Sequence, residues 1–258
     1  MGSSESEPLD LRSAAAELGV HYQTAYDWVR NGQLPAELVR GRYVVMAGDL
    51  RAAQRARATP ASPRRPSIQR LARSSTRMQQ ALLVGDEPAA QRIALGLVAE
   101  GTSTVELIQH VLVPPLISIG QLWHDGVLTI PVEHRAAAIV ERVLGQLTPN
   151  PRGRRRGRAL VAAISGDDHS LPTSMAAAAL REDHWHVDHL GAGMPPGDLV
   201  RFCAEHSVDL AVITSTNPDT ADAAGDTAAA LRAAGTPTIV GGPGRTLDEL
   251  VELARTAR

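Results

Sequence analysis

The chain contains no lysine. All 26 of its basic residues are arginine, against 28 carboxylates, for a formal net charge of −2. So neutral a balance gives no overall signature of nucleic-acid binding, and any such role must come from local clusters. A single cysteine, Cys203, excludes an intramolecular disulfide framework and a cysteine-based zinc site, and its setting predicts a buried helix residue. Aromatic residues are only 3%, so alanine, leucine and valine must fill the cores, and each of the three tryptophans needs a reason. No apolar run approaches the roughly 18 residues of a membrane span, and no signal-peptide pattern opens the chain. A soluble, cytoplasmic protein with no membrane partner is expected.

What is present is enough to build several domains. Hydrophobic residues make up 43% of 258, room for two or three small cores. Residues 1 to 8 are small and acidic and predict a frayed start. Leu11 to Leu18 reads as a short helix, Gly19 breaks it, and His21 to Arg30 reads as a second helix carrying Ala25, Trp28 and Val29. Asn31-Gly32-Gln33-Leu34-Pro35 ends that helix. Ala36 to Val39 and Tyr43 to Val45, joined through Arg40-Gly41-Arg42, read as a two-stranded wing, and Asp49 is a candidate cap for a third helix toward Arg57. Over roughly 45 residues this resembles the winged helix-turn-helix of MerR and excisionase-type DNA-binding domains. The resemblance implies that Tyr22, Gln23, Asp27 and Arg30 face a major groove and that Arg40 and Arg42 touch phosphates. Residues 1–50 hold only the arginines at 12, 30, 40 and 42 against seven acids, so a small domain that binds protein is the alternative. Residues 51–77 carry eight arginines and no acid around a Pro/Ser-rich stretch, and read either as a solvated spacer or as a source of extra phosphate contacts.

From Ile68 to Leu147 the apolar spacing is helical. Helices are predicted over 70–84, after a cap at Asp86, from Thr104 through Ile119 with a kink at Pro114-Pro115, and over 132–147, which together make a four-helix bundle. A second arginine-rich linker reaches Arg158. Beyond it, strands at 159–164, 186–190, 209–214 and 238–240 alternate with helices at 173–182, 197–206, 221–234 and 246–254, which predicts a parallel, doubly wound sheet.

The first loop of that sheet reads Gly166-Asp167-Asp168-His169-Ser170-Leu171-Pro172. It follows a strand and precedes a helix, the edge at which α/β folds bind ligands. An imidazole there, with a carboxylate two residues before it, suits a metal, because the carboxylate can take the other ring N–H. From the heptapeptide alone a polar loop with a capping Asp or Ser is the plainer reading, because lone Asp-x-His triplets are common. Upstream, Trp123-His124 precedes Glu133-His134 by ten positions. A tryptophan at a helix end is commonly core, and a Glu-His pair on a helix is commonly surface.

Taken together these motifs resemble those of the cobalamin-dependent, light-sensing MerR-family transcriptional regulators of carotenoid synthesis (CarH-type). The resemblance rests on Trp-x9-Glu-His in the helical segment, Asp167-x-His169 after the first strand, Ser215-Thr216 after the third and Gly241-Gly242 after the fourth. It implies a multidomain α/β protein: a winged helix-turn-helix at 1–57, a linker at 58–67, a four-helix bundle at 68–148 that caps the cofactor's upper face, and a Rossmann-like (flavodoxin-like) cobalamin-binding domain at 158–258. The cofactor implied is adenosylcobalamin, with cobalt as the metal. His169 would be the lower axial cobalt ligand, oriented by Asp167. Ser215, Thr216, Gly241 and Gly242 would surround the nucleotide tail. Trp123, Glu133 and His134 would line the upper face, and His124 would take the upper position after light. The function implied is that of a non-enzymatic repressor of operator DNA in which photolysis of the Co–C bond changes the state of a homo-oligomer, tetrameric in the dark. Two departures stand in the sequence: Pro172 replaces the glycine of the family's Asp-x-His-x-x-Gly, and four strands are legible where the family usually has five. The competing readings are a corrinoid carrier for methyl transfer and a regulator of the same architecture that senses another signal.

Overall fold

The computed structural model describes residues 8–30, 34–39, 41–58 and 66–257. The chain divides between residues 65 and 66 into two compact units. In the first, α1 (Leu11–Glu17) starts where the Asp10 carboxylate accepts the Ser13 N–H at 2.7 Å. It ends at Gly19, whose φ of +63° turns the chain into α2 (Tyr22–Arg30). Three strands, β1 (Pro8–Asp10), β2 (Glu37–Val39) and β3 (Arg42–Met46), form an antiparallel sheet in the order β1-β3-β2. Of the start expected to be frayed, residues 1–7 lie outside the described residues, and Pro8 belongs to β1 instead. Leu9 packs on the core and pairs with Val45, and this holds Pro8–Asp10 in register. The helix α3 (Ala47–Ala58) follows β3 directly, so Asp49 lies inside its first turn and is not its cap. The core is Leu11, Ala14, Ala15, Leu18, Ala25, Leu34, Val45 and Leu50.

The second unit opens with helices α4 (Ile68–Val84), α5 (Glu87–Ala99), α6 (Thr104–Leu107), α7 (Val113–His124) and α8 (Ile130–Leu147). Side chains cap three of them: Ser67 on the Arg70 N–H, Asp86 on the Ala89 N–H, and Ser103 with Glu106 in a reciprocal capping box. Between α6 and α7 lies a π turn, Ile108–Leu112. The expected proline kink therefore takes the form of a widened turn one step earlier. Pro114 and Pro115 offer no N–H to the carbonyls of His110 and Val111 and would crowd them in a regular helix. Thr104–His124 is long and apolar enough, by length and composition alone, to cross a membrane, although polar residues such as Glu106, Gln109 and His110 interrupt it. Its apolarity has a local cause: Leu107, Ile108, Val111, Leu112 and Ile119 are all wholly buried in one helical core with Met78, Leu82 and Ile139.

The chain then forms β4 (Arg158–Ile164), α9 (Ser170–Glu182), β5 (His186–Met194), α10 (Pro196–His206), β6 (Leu210–Thr214), α11 (Ala221–Ala233), β7 (Thr238–Gly241) and α12 (Leu247–Thr256). The four strands are parallel in the order β5-β4-β6-β7. Successive residues of the central strands face opposite layers. Ala159, Val161 and Val212 pack against α9 and α12, while Leu160, Ala162 and Ile213 pack against α10 and α11. Trp185 fills the first layer and Cys203 the second. The helical segment lies against α9 and α12. Ala178 of α9 belongs to the helical core, the Thr104 N–H donates to Glu182 at 2.6 Å, and the Gln109 amide donates to Asp248 at 3.1 Å. The strand order reverses between β4 and β6, so the loops after these two strands diverge and leave a crevice.

Candidate functional site

That crevice is organised by one carboxylate. Asp167 is 1% exposed and sits in the loop after β4, entered through Gly166 at a φ of +93°. Its Oδ1 accepts the His169 backbone N–H at 3.1 Å and contacts His169 Nδ1 at 2.8 Å. Its Oδ2 accepts the Thr216 N–H at 2.6 Å and the Asn217 N–H at 3.2 Å from the loop after β6, and the Thr216 hydroxyl donates to it at 3.1 Å. Burial by itself would raise the Asp167 pKa. The N–H of Thr216, the bonds from His169 and the N–H of Asn217 more than offset it and hold the group at about 2. An ionised Asp167 can only accept at this contact, so Nδ1–H of His169 donates to it and Nε2 faces away from Asp167. The His169 side chain is 66% exposed. The structure thus brings Asp167, His169 and Thr216 into direct contact.

Behind this loop is a cavity of about 610 Å³. Pro172, Met175 and Ala176 of α9, Thr214 and Thr216, and Gly241-Gly242 line one side, and Ile108, Gln109, Val113 and Ile117 of the helical segment line the other. The two glycines act differently. A Cβ on Gly242 would lie 2.3 Å from the Ser215 carbonyl oxygen, so no side chain fits there. A Cβ on Gly241 would meet nothing within 4 Å and would project into open space. Ser215 is buried, and its hydroxyl pairs with that of Thr220 at 3.2 Å. Pro172 lines the cavity from the first turn of α9. The helix begins at Ser170, three residues before the predicted Thr173, because the missing N–H of a proline there removes no helical bond.

The upstream motif is divided between two helices, α7 and α8. Trp123 and His124 end α7, Glu133 lies in the first turn of α8 and His134 follows it, with Glu133 Oε2 and His134 Nδ1 2.5 Å apart. Trp123 is 44% exposed, beside exposed Val127 and Ile130 in the same connection, so this tryptophan is not core. In the first unit Tyr22, Gln23, Asp27, Arg30 and Arg42 are exposed, and Tyr22 stacks on Tyr26 with Arg12 over its ring at 5.9 Å. Arg40, Asn31 to Gln33 and the linker residues 59–65 lie outside the described residues.

Sequence reasoning missed the groups that tie the His169 loop down. Asn217 donates its amide to the Gly166 carbonyl at 3.1 Å. Ser170 donates to Glu141 of α8 at 2.5 Å, and Thr173, which donates to the Ser170 carbonyl, accepts from His189 Nε2 at 2.6 Å. Only Asn217, two residues beyond Ser215, had a readable signal, as a turn former after a strand.

Among the described residues no three His, Cys, Asp or Glu side chains converge to hold a bare ion. The loop after β4 thus offers a single exposed imidazole, that of His169, as a metal ligand. Residues 157–255 match the family model described as B12 binding domain, and residues 75–148 match a second model of the same description. The chain carries B12-binding domains. Over 161 residues it is 29% identical to the HTH-type transcriptional repressor CarH of Myxococcus xanthus, covering 61% of this chain and 53% of that one. The chain thus spans about half the length of that repressor. Over 149 residues it is 23% identical to a corrinoid protein of Desulfitobacterium hafniense (strain Y51), covering 54% of this chain and 69% of that one. A solved monomethylamine corrinoid protein of Methanosarcina barkeri superposes with a TM-score of 0.60 at 14% identity, covering 74% of this chain and all of the other, which shows a shared fold.

Proposed function

We propose that this protein is a corrinoid-binding transcriptional regulator that uses adenosylcobalamin as a light-responsive switch. The observation that carries the reading is the exposed imidazole of His169, held through Nδ1 by buried Asp167, whose other oxygen is bonded to Thr216 in the lining of a cavity shared by sheet and helical segment. His169 Nε2 would ligate cobalt from below, and Asp167 would keep the ring in the Nδ1–H tautomer and raise its basicity. The cavity would take the nucleotide tail, with Gly241 allowing the backbone to approach it and Ser215 and Thr216 holding the two loops in place. Trp123, Glu133 and His134 would line the upper face, with His124 next to them. When bound, the cofactor supplies a light-sensitive Co–C bond, and the protein supplies the ligand, the shaped cavity and a wall on which the two halves of the second unit meet.

The first unit would read DNA as a winged helix-turn-helix, with Tyr22, Gln23 and Arg30 on α2 and Arg40 and Arg42 at the wing. Assembly of several copies would strengthen a DNA domain of low positive charge. The test is to load the purified protein with adenosylcobalamin in darkness, then illuminate it. The reading expects a change of visible spectrum, of oligomer size and of DNA affinity. An unchanged spectrum and size would contradict it.

A second reading, a corrinoid carrier for methyl transfer, is favoured by the shared fold with the whole of a monomethylamine corrinoid protein and by the 23% identity over 149 residues to a corrinoid protein. It gives no role to the exposed α2 and wing residues. Turnover of methylcobalamin by a partner methyltransferase, with no measurable DNA binding, would favour it.

A further inference from the structure

The segment after β7, Gly241-Gly242-Pro243-Gly244-Arg245, borders two cavities. One is the 610 Å³ cavity described above, and the other, of about 310 Å³, is lined by Ser215, Ala221, Val240 and the same loop. Arg245 lines both, and it is the only charged side chain among the described residues lining either. The other contacts around it are apolar groups, hydroxyls, backbone and the amide of Gln109.

The Arg245 guanidinium has no hydrogen-bond or ion-pair partner among the described residues. By contrast, Arg142 pairs with Glu87, Arg158 with Asp188, and Arg156 and Arg255 both with Asp183. The nearest acids in sequence are already engaged: Asp248 accepts from Gln109, and Glu249 accepts the Thr246 N–H in a capping box. The backbone of Arg245 is nonetheless fixed. Its N–H donates to the Gly242 carbonyl at 3.1 Å, and Gly244 turns the chain at a φ of +86°. A single unpaired, exposed cation on a pinned loop, lining a mainly uncharged cavity, fits a ligand with a neutral body and one negative group. A guanidinium matches the two oxygens of a phosphate in particular.

We propose that Arg245 recognises the phosphodiester of the corrinoid's nucleotide tail, and so selects complete corrinoids over those that lack the nucleotide. The inference rests on the reading that this cavity takes that tail. It concerns a residue outside the Asp-x-His, Ser-Thr and Gly-Gly motifs.

The experiment is a spectroscopic titration of the full chain with cobalamin and, separately, with cobinamide, which lacks the phosphate and base. Wild type, Arg245→Ala and Arg245→Lys are compared. Arg245→Ala should weaken cobalamin binding about tenfold and leave cobinamide binding unchanged, while Arg245→Lys, which keeps the charge but loses the two-pronged fork, should recover only part of the affinity. Because the side chain has no protein partner, the thermal midpoint should not move. Equal losses for both corrinoids, or no loss for either, would overturn the proposal while leaving the cofactor reading intact. A wild-type protein that binds neither corrinoid would overturn both.

Discussion

Asp167 Oδ1 lies 2.8 Å from His169 Nδ1, and its Oδ2 is held by the loop after the neighbouring strand. The imidazole is thus fixed to the sheet through a carboxylate that is itself buried and fully bonded. Asp167→Asn keeps the shape but donates where the Thr216 and Asn217 N–H groups also donate. Corrinoid affinity should fall 10- to 100-fold, the usual range for loss of a ligand's orienting partner, read by titration of the visible spectrum.

The same carboxylate predicts how stability depends on pH. Its folded pKa of about 2 lies below its ordinary value of 3.8, so its contribution is fully present above about pH 4 and is lost as pH falls toward 2. The difference corresponds to roughly 2 kcal/mol. His189 acts in a higher window. Burial, with Arg181 nearby, lowers its pKa below the ordinary 6.5, so it folds neutral. Its contribution is present above about pH 6.5 and declines below it. Denaturant unfolding across pH should show both decreases, and His189→Gln should remove only the upper one.

The two glycines of the cavity should separate stability from binding. Gly242→Ala puts a methyl group 2.3 Å from the Ser215 carbonyl and should destabilise the fold by about 1–3 kcal/mol. Gly241→Val meets open space, so the thermal midpoint should change little, while corrinoid affinity should fall as the cavity is filled.

Trp123 tests the upper half of the site. The residue is 44% exposed and belongs to none of the buried core clusters, so Trp123→Ala should cost less stability than the roughly 3–5 kcal/mol typical of truncating a core aromatic. If the ring covers the adenosyl group, the variant should lose preference for adenosyl- over methylcobalamin in a competition titration.

The sheet was readable because its strands are short apolar runs broken by helices of regular spacing, and because Asp167-x-His169 sits directly after the first of them. The helical segment was readable from the apolar spacing of residues such as Leu107, Val111 and Leu112. Three features were not. The π turn at Ile108–Leu112 depends on how two prolines fit against preceding carbonyls. The strand at Pro8–Asp10 depends on Leu9 finding a core built from distant residues. The bonds from Thr216 and Asn217 to Asp167, and from Ser170 to Glu141, join residues 29 to 50 positions apart that only the folded chain brings together. Local pattern located the imidazole, and tertiary packing supplied its support.

The most direct measurement of the central claim is the visible spectrum of bound cobalamin in wild type beside His169→Ala. The account predicts that wild type shows cobalt with a nitrogen ligand from the protein, and that His169→Ala shows the spectrum of a corrinoid without it and binds more weakly. Identical spectra and equal affinities would contradict the assignment of His169 as the cobalt ligand.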